Sequence, residues 1–416
     1  MLREKLTLRR ACAVCGGAML TVFFLFLPVG GYERMMEEKY LLFLLLNVPF
    51  ALALPFLPPP ARSPMRLCAY LFLGISALGA LLSPYGAAVW LGGSRRDGLV
   101  TAALYVACFL LLSRERWSGR WTVMSIAVCA AACDLLVLAQ LCGGNPFGLF
   151  PEGLNYYDGD DAFLGYYAGT AGNADFTAFV LALAVCVMLA AALRGRGKKR
   201  LWLAVPTAMT VYVLWRLKIA AALLGLAAAA VFSLPLLLPR RRKAAWCAVG
   251  ALCAGALVFV WCYGGGSETL WQASALLHGR WDAGFGSGRF AIWRQLLPLI
   301  AERPLLGGGC GTLYLRGLEP FYSYIDGAAV ESVITSAHNE YLGILVDQGV
   351  FALGCFIALI ALALGKCYRS AENERLAICG TALVCYAVMT AFCVSTCITA
   401  PYLWILLAII EKEQTV

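Results

Sequence analysis

His338 stands in a polar cluster, SAHNEY, that leads directly into a long apolar stretch. It is one of only two histidines in 416 residues. An imidazole titrates near neutral pH and can therefore accept or donate a proton under physiological conditions. On the residues alone, a helix-capping or hydrogen-bonded loop histidine explains His338 as well as a catalytic base does. The second histidine, His278 in LLHGRWD, is expected to be a loop residue.

Basic residues that could bind an anion occur at three places next to apolar segments. Arg95 and Arg96 lie in GGSRRDGL, Arg216 and Lys218 lie in LWRLKIAAALLGL, and Arg289 follows the glycine run of GFGSGRFAIW. Arginine binds phosphate oxygens through a planar fork of donors that stays charged. For any one of these residues alone, anchoring at a membrane interface is the competing interpretation. Arg34 and Lys39 lie among glutamates and are expected to be solvated ions.

The composition indicates the environment in which these residues act. Apolar residues make up 61% of the chain and charged residues 14%, and the mean hydropathy is +0.77. Soluble domains usually carry about 25% charged residues. The chain is therefore predicted to be an all-α integral membrane protein, with residues 1–416 forming one polytopic domain. About twelve spans are predicted, centred near residues 12–29, 40–58, 66–82, 99–113, 121–142, 174–193, 201–215, 219–238, 244–262, 340–364, 376–393 and 398–410.

The distribution of positive charge predicts the orientation. With a cytoplasmic N-terminus, the inner loops would hold 22 of the 33 Lys and Arg residues, including the runs RGRGKKR and PRRRK. Cytoplasmic loops of membrane proteins are enriched in these residues, so both termini are predicted to be cytoplasmic. The net charge of +9 is thereby explained by topology and by contact with the lipid bilayer. No nucleic-acid partner is expected.

Two outer loops are long. Residues 143–173 contain no Lys or Arg and are rich in aromatic and acidic residues. Residues 263–338 form a loop of about 75 residues, within which RFAIWRQLLPLIAERP has the apolar spacing of an amphipathic helix. This extracytoplasmic loop is predicted to form a lid over a site between lipid and water.

Several motifs, in order, resemble those of a known family. GSGRFAIWRQLLPLIAERPLLGGGCGTL, followed by AHNEYLGILVDQGVFALG, is similar to the signature of the O-antigen ligase and O-antigen polymerase superfamily of bacterial membrane glycosyltransferases. GTAGNADFTAFVLALA and GSRRDGLVTAALY resemble two earlier segments of that family. The strongest similarity covers about residues 285–355.

The resemblance implies a reaction. Its donor would be a glycan linked through pyrophosphate to a polyprenyl lipid, and its acceptor a hydroxyl of a glycolipid, cell-wall polymer or glycan. Transfer would occur at the outer face of the cytoplasmic membrane. His338 would be the general base and Arg289 a second catalytic residue. The expected pyrophosphate-binding residues are Arg289, Arg95, Arg96, Lys218 and Arg216, and the expected supporting residues are Asn339, Glu340 and Tyr341.

Asn339 is expected to orient His338, and Glu340 to begin the following helix. In one place the sequence departs from the family pattern. Members commonly carry a Ser-Arg pair where this chain has Ile219 and Ala220, so Lys218 or Arg216 would have to supply that basic contact.

The resemblance also implies chemistry without a metal or other cofactor. The run DGDD at residues 158–161 leaves a divalent-metal site as the alternative. Two further alternatives remain open from the sequence. A repeat-unit polymerase would use the same donor with a different acceptor, and a lipid or glycan transporter would also be a polytopic bundle.

The predicted orientation can be tested with reporter fusions. Fusions after residues 198 and 242 should be cytoplasmic, because both follow dense basic runs, and a fusion at residue 275 should be outside. A cytoplasmic reporter at residue 275 would contradict both an outer lid and an outer site.

Overall fold

A computed structural model describes residues 2–58, 60–114, 119–157, 165–195, 199–325 and 328–413. In chain order its helices are α1 Leu2–Leu20, α2 Val22–Leu25, α3 Met35–Ala53, α4 Pro64–Leu81, α5 Ala88–Leu91, α6 Leu99–Leu112, α7 Gly119–Leu141, α8 Ala174–Arg194, α9 Lys199–Leu217, α10 Ala220–Phe232, α11 Leu234–Leu237, α12 Arg242–Trp261, α13 Glu268–Leu277, α14 Arg289–Glu302, α15 Glu340–Arg369, α16 Glu374–Met389 and α17 Ala400–Lys412. Between α14 and α15, strands β1 (Phe321–Ile325) and β2 (Ala328–Ser332) form a short antiparallel hairpin.

The chain is a membrane protein by the length and composition of its helices. Within the described ranges, six helical segments are long and apolar enough to cross a membrane: Tyr32–Phe56, Pro64–Leu81, Trp121–Leu141, Ala174–Arg194, Pro239–Trp261 and Glu340–Arg369. Four shorter apolar helices accompany them: Ala11–Leu25, Leu99–Leu112, Leu201–Leu217 and Ala220–Phe232. A helix overlaps each of the predicted spans, and the total number of crossings stays a prediction.

Helix α8 occupies the centre of the bundle. It is apolar on all sides and mostly buried, as expected for a helix surrounded by other helices. Helices α7, α9, α10 and α16 pack around it, and α15 packs along α4. Small residues permit close contact, since a Cβ at Gly225 of α10 would lie 2.3 Å from Met389 Cγ of α16.

The loops predicted to be cytoplasmic meet at one end of this bundle. Arg66 donates a hydrogen bond to the Ser113 carbonyl (3.0 Å) and pairs with Glu411 (3.6 Å). Arg194 donates to the Ala371 carbonyl at 3.0 Å. These contacts join segments that lie far apart in the sequence, so they group the basic loops on one side of the bundle.

Helix α15 is broken within its apolar stretch. Gly349 has φ +81° and ψ 175°, and a Cβ added there would lie 2.2 Å from the Leu305 carbonyl oxygen. The glycine-rich loop 307–311 therefore runs directly against the kink. Its amides use carbonyls of α15 at this point, with Gly308 N bonded to Val346 O (3.1 Å) and Gly309 N to Asp347 O (2.8 Å).

A buried ion pair fastens the same contact. Arg316 Nη2 lies 2.7 Å from Asp347 Oδ1, and the Arg316 side chain is only 3% exposed. Arg316 Nη1 also donates to the Val346 carbonyl at 2.7 Å. The Gly311 amide donates to the second carboxylate oxygen of Asp347 at 3.1 Å. Charge and backbone geometry thus tie the loop after α14 to α15.

Lys39 corrects an expectation from the sequence. Arg34 is exposed and pairs with Glu38 at 3.7 Å, as expected for a solvated ion. Lys39, by contrast, is 1% exposed, and its Nζ donates to the carbonyls of Phe23 (2.8 Å) and Phe24 (3.2 Å). The prediction that Lys39 is solvated was wrong. Helix α2 ends after one turn and leaves unpaired carbonyls, which this ammonium satisfies.

The kink of α15 leads to a prediction about stability. Gly349→Ala should destabilise the protein by at least about 2 kcal/mol, because it combines a steric clash with a left-handed backbone conformation. Gly354→Ala is the matched control in the same helix, since a Cβ there meets nothing within 4 Å. Thermal unfolding in detergent should show a lower midpoint for the first variant only. Equal midpoints would mean that the kink is not fixed by this contact.

Candidate active site

A polar cavity of about 120 Å³ lies where α4, α6, α15 and α17 meet. Aromatic rings of Phe72, Tyr105 and Trp404 form its apolar side. The polar wall comes from four separate segments and consists of Asp97, Thr335, Ser336, His338, Asn339, Glu340, Asp347, Gln348 and Ser395. Buried polar groups require hydrogen-bond partners, so a cavity of this kind accommodates water or a polar ligand.

His338 is held in a strained backbone conformation. Its φ is +47°, a left-handed value that costs a non-glycine residue about 1–3 kcal/mol. Contacts on both sides impose it. Trp293 Nε1 of α14 donates to the Ala337 carbonyl at 2.9 Å, and the Asn339 side chain caps α15 by accepting from Leu342 N at 3.0 Å. Asn339, expected to orient His338, therefore uses its side-chain oxygen to begin the helix.

Arg289 enters the site from the first residue of α14. The prediction of an amphipathic helix here is confirmed, and its buried residues Ile292 and Leu296 lie one turn apart on one face. Arg289 Nη1 donates to the Gly286 carbonyl at 3.0 Å, whereas its Nε is buried with no hydrogen-bond partner. An unpaired donor on a buried cation is costly unless an acceptor arrives.

A small second core places this helix. Ile292 and Leu296 pack with Leu313, Ile334, Ala337 and Val346 in a cluster that we call the loop core. Its members come from α14, from the glycine-rich loop, from the segment before His338 and from α15. The loop core thereby fixes Arg289 relative to His338.

Arg95 reaches the same place from the turn before α6. Its Nε donates to Thr335 Oγ1 at 3.0 Å. Arg96 has a left-handed backbone (φ +54°), and its carbonyl accepts from Thr101 Oγ1 at 2.6 Å. Asp97 follows on the cavity wall. Burial raises the pKa of Asp97 and the charge of Arg95 opposes that shift.

Burial and two cations determine the protonation of His338. Burial is the largest cause, and the charges of Arg95 and Arg289 add to it, lowering the pKa of His338 from its ordinary value near 6.5 to about 4. The ordinary imidazole pKa expected from the sequence is thus corrected downward. Burial also lowers the pKa of Arg95, while the carboxylates of Asp97 and Asp175 raise it. Asp175 of α8 therefore belongs to the same charged group, although its place at the start of an apolar helix gives no sign of this in the sequence.

Arg216 and Lys218 lie elsewhere. Arg216 Nη1 donates to Tyr212 OH at 3.1 Å, and Lys218 is exposed with φ +56°. Neither belongs to the cavity wall, and neither is among the charges that act on His338. The structure therefore brings together His338, Arg289 and Arg95 and leaves these two residues outside the group.

The supporting residues attach α15 to α16. Glu340 begins α15 as expected, and its amide donates to the Thr390 carbonyl at 2.8 Å. Tyr386 OH donates to Glu340 Oε2 at 3.2 Å, and Tyr341 OH donates to the Ala387 carbonyl at 2.8 Å. Tyr386 was missed in the sequence because a tyrosine in an apolar helix resembles any other core aromatic.

The acidic run at residues 158–161 lies outside the described residues. In the described part of that outer loop, Tyr167 stacks on Tyr32 with ring centroids 5.5 Å apart. Tyr156 and Tyr157 meet edge to face at 5.1 Å. No group of three His, Cys, Asp or Glu residues that could hold a metal ion occurs in the part of the chain that the structure describes.

The low pKa of His338 can be measured directly, because the chain has two histidines. In protein carrying ¹⁵N-labelled imidazole, His338 should titrate with a midpoint near 4, and His278→Gln assigns the signals. Arg95→Gln should raise that midpoint, because removing a positive charge favours the protonated ring. A midpoint near 6.5 in both proteins would contradict a buried ring beside two cations.

Comparison with known proteins finds a family model that matches part of the chain. No curated protein matches the chain. A family model described as O-antigen ligase matches residues 220–357, which run from the start of α10 through Arg289 and His338 to beyond the kink of α15. This match places Arg289 and His338 in a segment that is similar to O-antigen ligases, in agreement with the resemblance seen in the sequence.

Proposed function

We propose that this chain is a glycosyltransferase of the O-antigen ligase type. It moves a glycan from a polyprenyl-pyrophosphate carrier to an acceptor hydroxyl at the outer face of the bacterial cytoplasmic membrane. The observation that carries the proposal is the grouping of His338 with Arg95 and Arg289 at one end of a membrane bundle. His338 and Arg289 lie in the segment that matches the O-antigen ligase model. A neutral base and two cations are the groups that such a transfer needs.

The arginines suit the leaving group. When the glycosidic C–O bond breaks, its electron pair leaves with the pyrophosphate, and negative charge grows on the phosphate oxygens. Fixed cations in a site poor in water stabilise that charge strongly. Arg289 offers a buried Nε donor that is unpaired, and Arg95 is held in place by Thr335. We assign donor binding to these two residues, with Arg96 beside them.

His338 suits the acceptor. With a pKa near 4, its ring is neutral at physiological pH and free to accept a proton from the attacking hydroxyl. It is a weak base while two unneutralised cations lie nearby. A bound pyrophosphate would offset those cations and raise the basicity of the ring. Acceptor activation would then follow donor binding.

The proposed orientation places this site outside. We infer twelve spans with both termini in the cytoplasm, supported by the inner-loop contacts at the opposite end of the bundle from His338. Loop 263–338 then lies outside and covers the site, with α14 packed against α15. A repeat-unit polymerase would use the same residues with a second lipid-linked repeat as acceptor.

The arginine fork provides one test. Arg289→Lys keeps the charge but loses the planar fork, so it should impair turnover of lipid-linked glycan nearly as badly as Arg289→Ala. Arg34→Ala, which removes an exposed arginine that pairs with Glu38, is the matched control and should retain activity. Full activity in Arg289→Lys would show that a point charge suffices there.

Removal of the base provides the test of the function itself. His338→Ala should slow transfer by about 10²–10⁴-fold, the usual contribution of a positioned base, while donor binding is retained. His338→Gln, which keeps hydrogen bonding without basicity, should be similarly slow. Both are assayed with purified protein and lipid-linked glycan in the presence of a strong chelator. Activity that needs added Mg²⁺ or Mn²⁺ would instead implicate the acidic run at residues 158–161.

A further inference from the structure

Glu340 lies two residues from His338, and both line the same cavity. Tyr386 OH donates to its carboxylate at 3.2 Å and also contacts Ser395 Oγ at 3.1 Å. The hydroxyls of Tyr386 and Ser395 are both neutral. The cavity of about 120 Å³ has room for a few water molecules, since each occupies roughly 30 Å³ in the liquid.

The other two carboxylates of the cavity wall are already engaged by arginines. Asp347 pairs with Arg316 at 2.7 Å and accepts from the Gly311 amide. Burial raises the pKa of Asp97, but the charge of Arg95 opposes that shift. A carboxylate that faces a guanidinium takes up a proton reluctantly. Among the described carboxylates of this wall, Glu340 is therefore the one best suited to accept a proton.

A proton cannot remain on His338 at low cost once the pyrophosphate product has left. Without that anion, Arg95 and Arg289 again oppose a third positive charge there. Neither arginine belongs to the cavity wall, whereas Glu340 does. The electrostatic gradient therefore favours movement of the proton from the imidazole into the cavity.

We propose that Glu340 is the acceptor of the proton that His338 takes up in each turnover, through water held in the cavity. This inference rests on the proposed function. In the step, the acceptor oxygen forms a bond to the sugar carbon while the bond from that carbon to the pyrophosphate oxygen breaks. The electron pair leaves with the pyrophosphate. The hydroxyl proton passes to His338, through water to the Glu340 carboxylate, and from there to solvent before the next turnover.

The groups around Glu340 determine how its protonation varies with pH. Tyr386, Tyr341 and Tyr105 are the titratable groups that interact with it from the neighbouring helices, and His338, Asp97 and Asp347 share its cavity. The hydroxyls of Tyr386 and Ser395 hydrogen-bond with its carboxylate, and the proposed step uses the ionised form of that group.

The test compares Glu340→Gln with Glu268→Gln, which replaces an exposed carboxylate of α13. In the purified full-length protein, Glu340→Gln should lower kcat by about tenfold or more, part of the range seen for proton-transfer groups, with the donor KM little changed. Glu268→Gln should match the unaltered protein. Formate, but not chloride at equal ionic strength, should restore the rate of Glu340→Ala. A purely structural role for Glu340 would not respond to formate.

Two results would contradict proton transfer from His338 to Glu340. They are a Glu340→Gln rate within twofold of normal, and a slow Glu340→Ala protein that formate does not restore. If Glu340→Gln does not fold, Glu340→Asp and Glu340→Asn provide an equivalent pair, and equal rates for these two would also contradict it. His338→Gln is measured in parallel. If it is slow while Glu340→Gln is normal, the proposed function stands without the relay, and if both are normal, the proposed function fails too.

Discussion

The 2.7 Å ion pair between Arg316 and Asp347 joins the loop after α14 to the kink of α15, and the site depends on that junction. Removing one member of a buried pair typically costs about 3–5 kcal/mol, because the other charge is left without a partner. The pair also holds backbone groups of both segments. The Gly311 amide donates to Asp347, and Arg316 donates to the Val346 carbonyl. The kink at Gly349 and the ion pair thus support each other. Neither would persist if the loop withdrew.

The same junction also positions Arg289 and His338. The loop core uses Val346 of α15 and Leu313 of the loop together with Ile292 and Leu296 of α14. Packing one set of apolar side chains therefore fixes the helix that begins with Arg289. The same core includes Ala337, the residue before His338. The left-handed conformation of His338 can persist because contacts on both sides of it are already satisfied.

The sequence predicted the parts of this arrangement that depend on local pattern. Apolar segments identify helices because a membrane-spanning backbone must satisfy its own hydrogen bonds, and the motif around His338 lies in the segment that the O-antigen ligase model matches. Lys39 was misjudged because its acidic neighbours in sequence are not its neighbours in space, and a short helix end supplied its partners. Asp175 was missed for a related reason, because its role comes from two arginines distant in the chain. Arg216 and Lys218 are not among the charges that act on His338, so their expected contact with the donor stays a prediction.

Without a ligand, the positive charges of the site are only partly balanced. Arg95 interacts with Asp97 and Asp175, so part of the positive charge is balanced within the protein. Arg289 keeps a buried donor unsatisfied, and both arginines disfavour a proton on His338. Each of these costs would be lowered by the same event, the arrival of an anion between the two guanidinium groups. In the proposed function, the pyrophosphate of the donor would be that anion, and the stability given up at Arg289 and His338 would favour its binding without any change in fold.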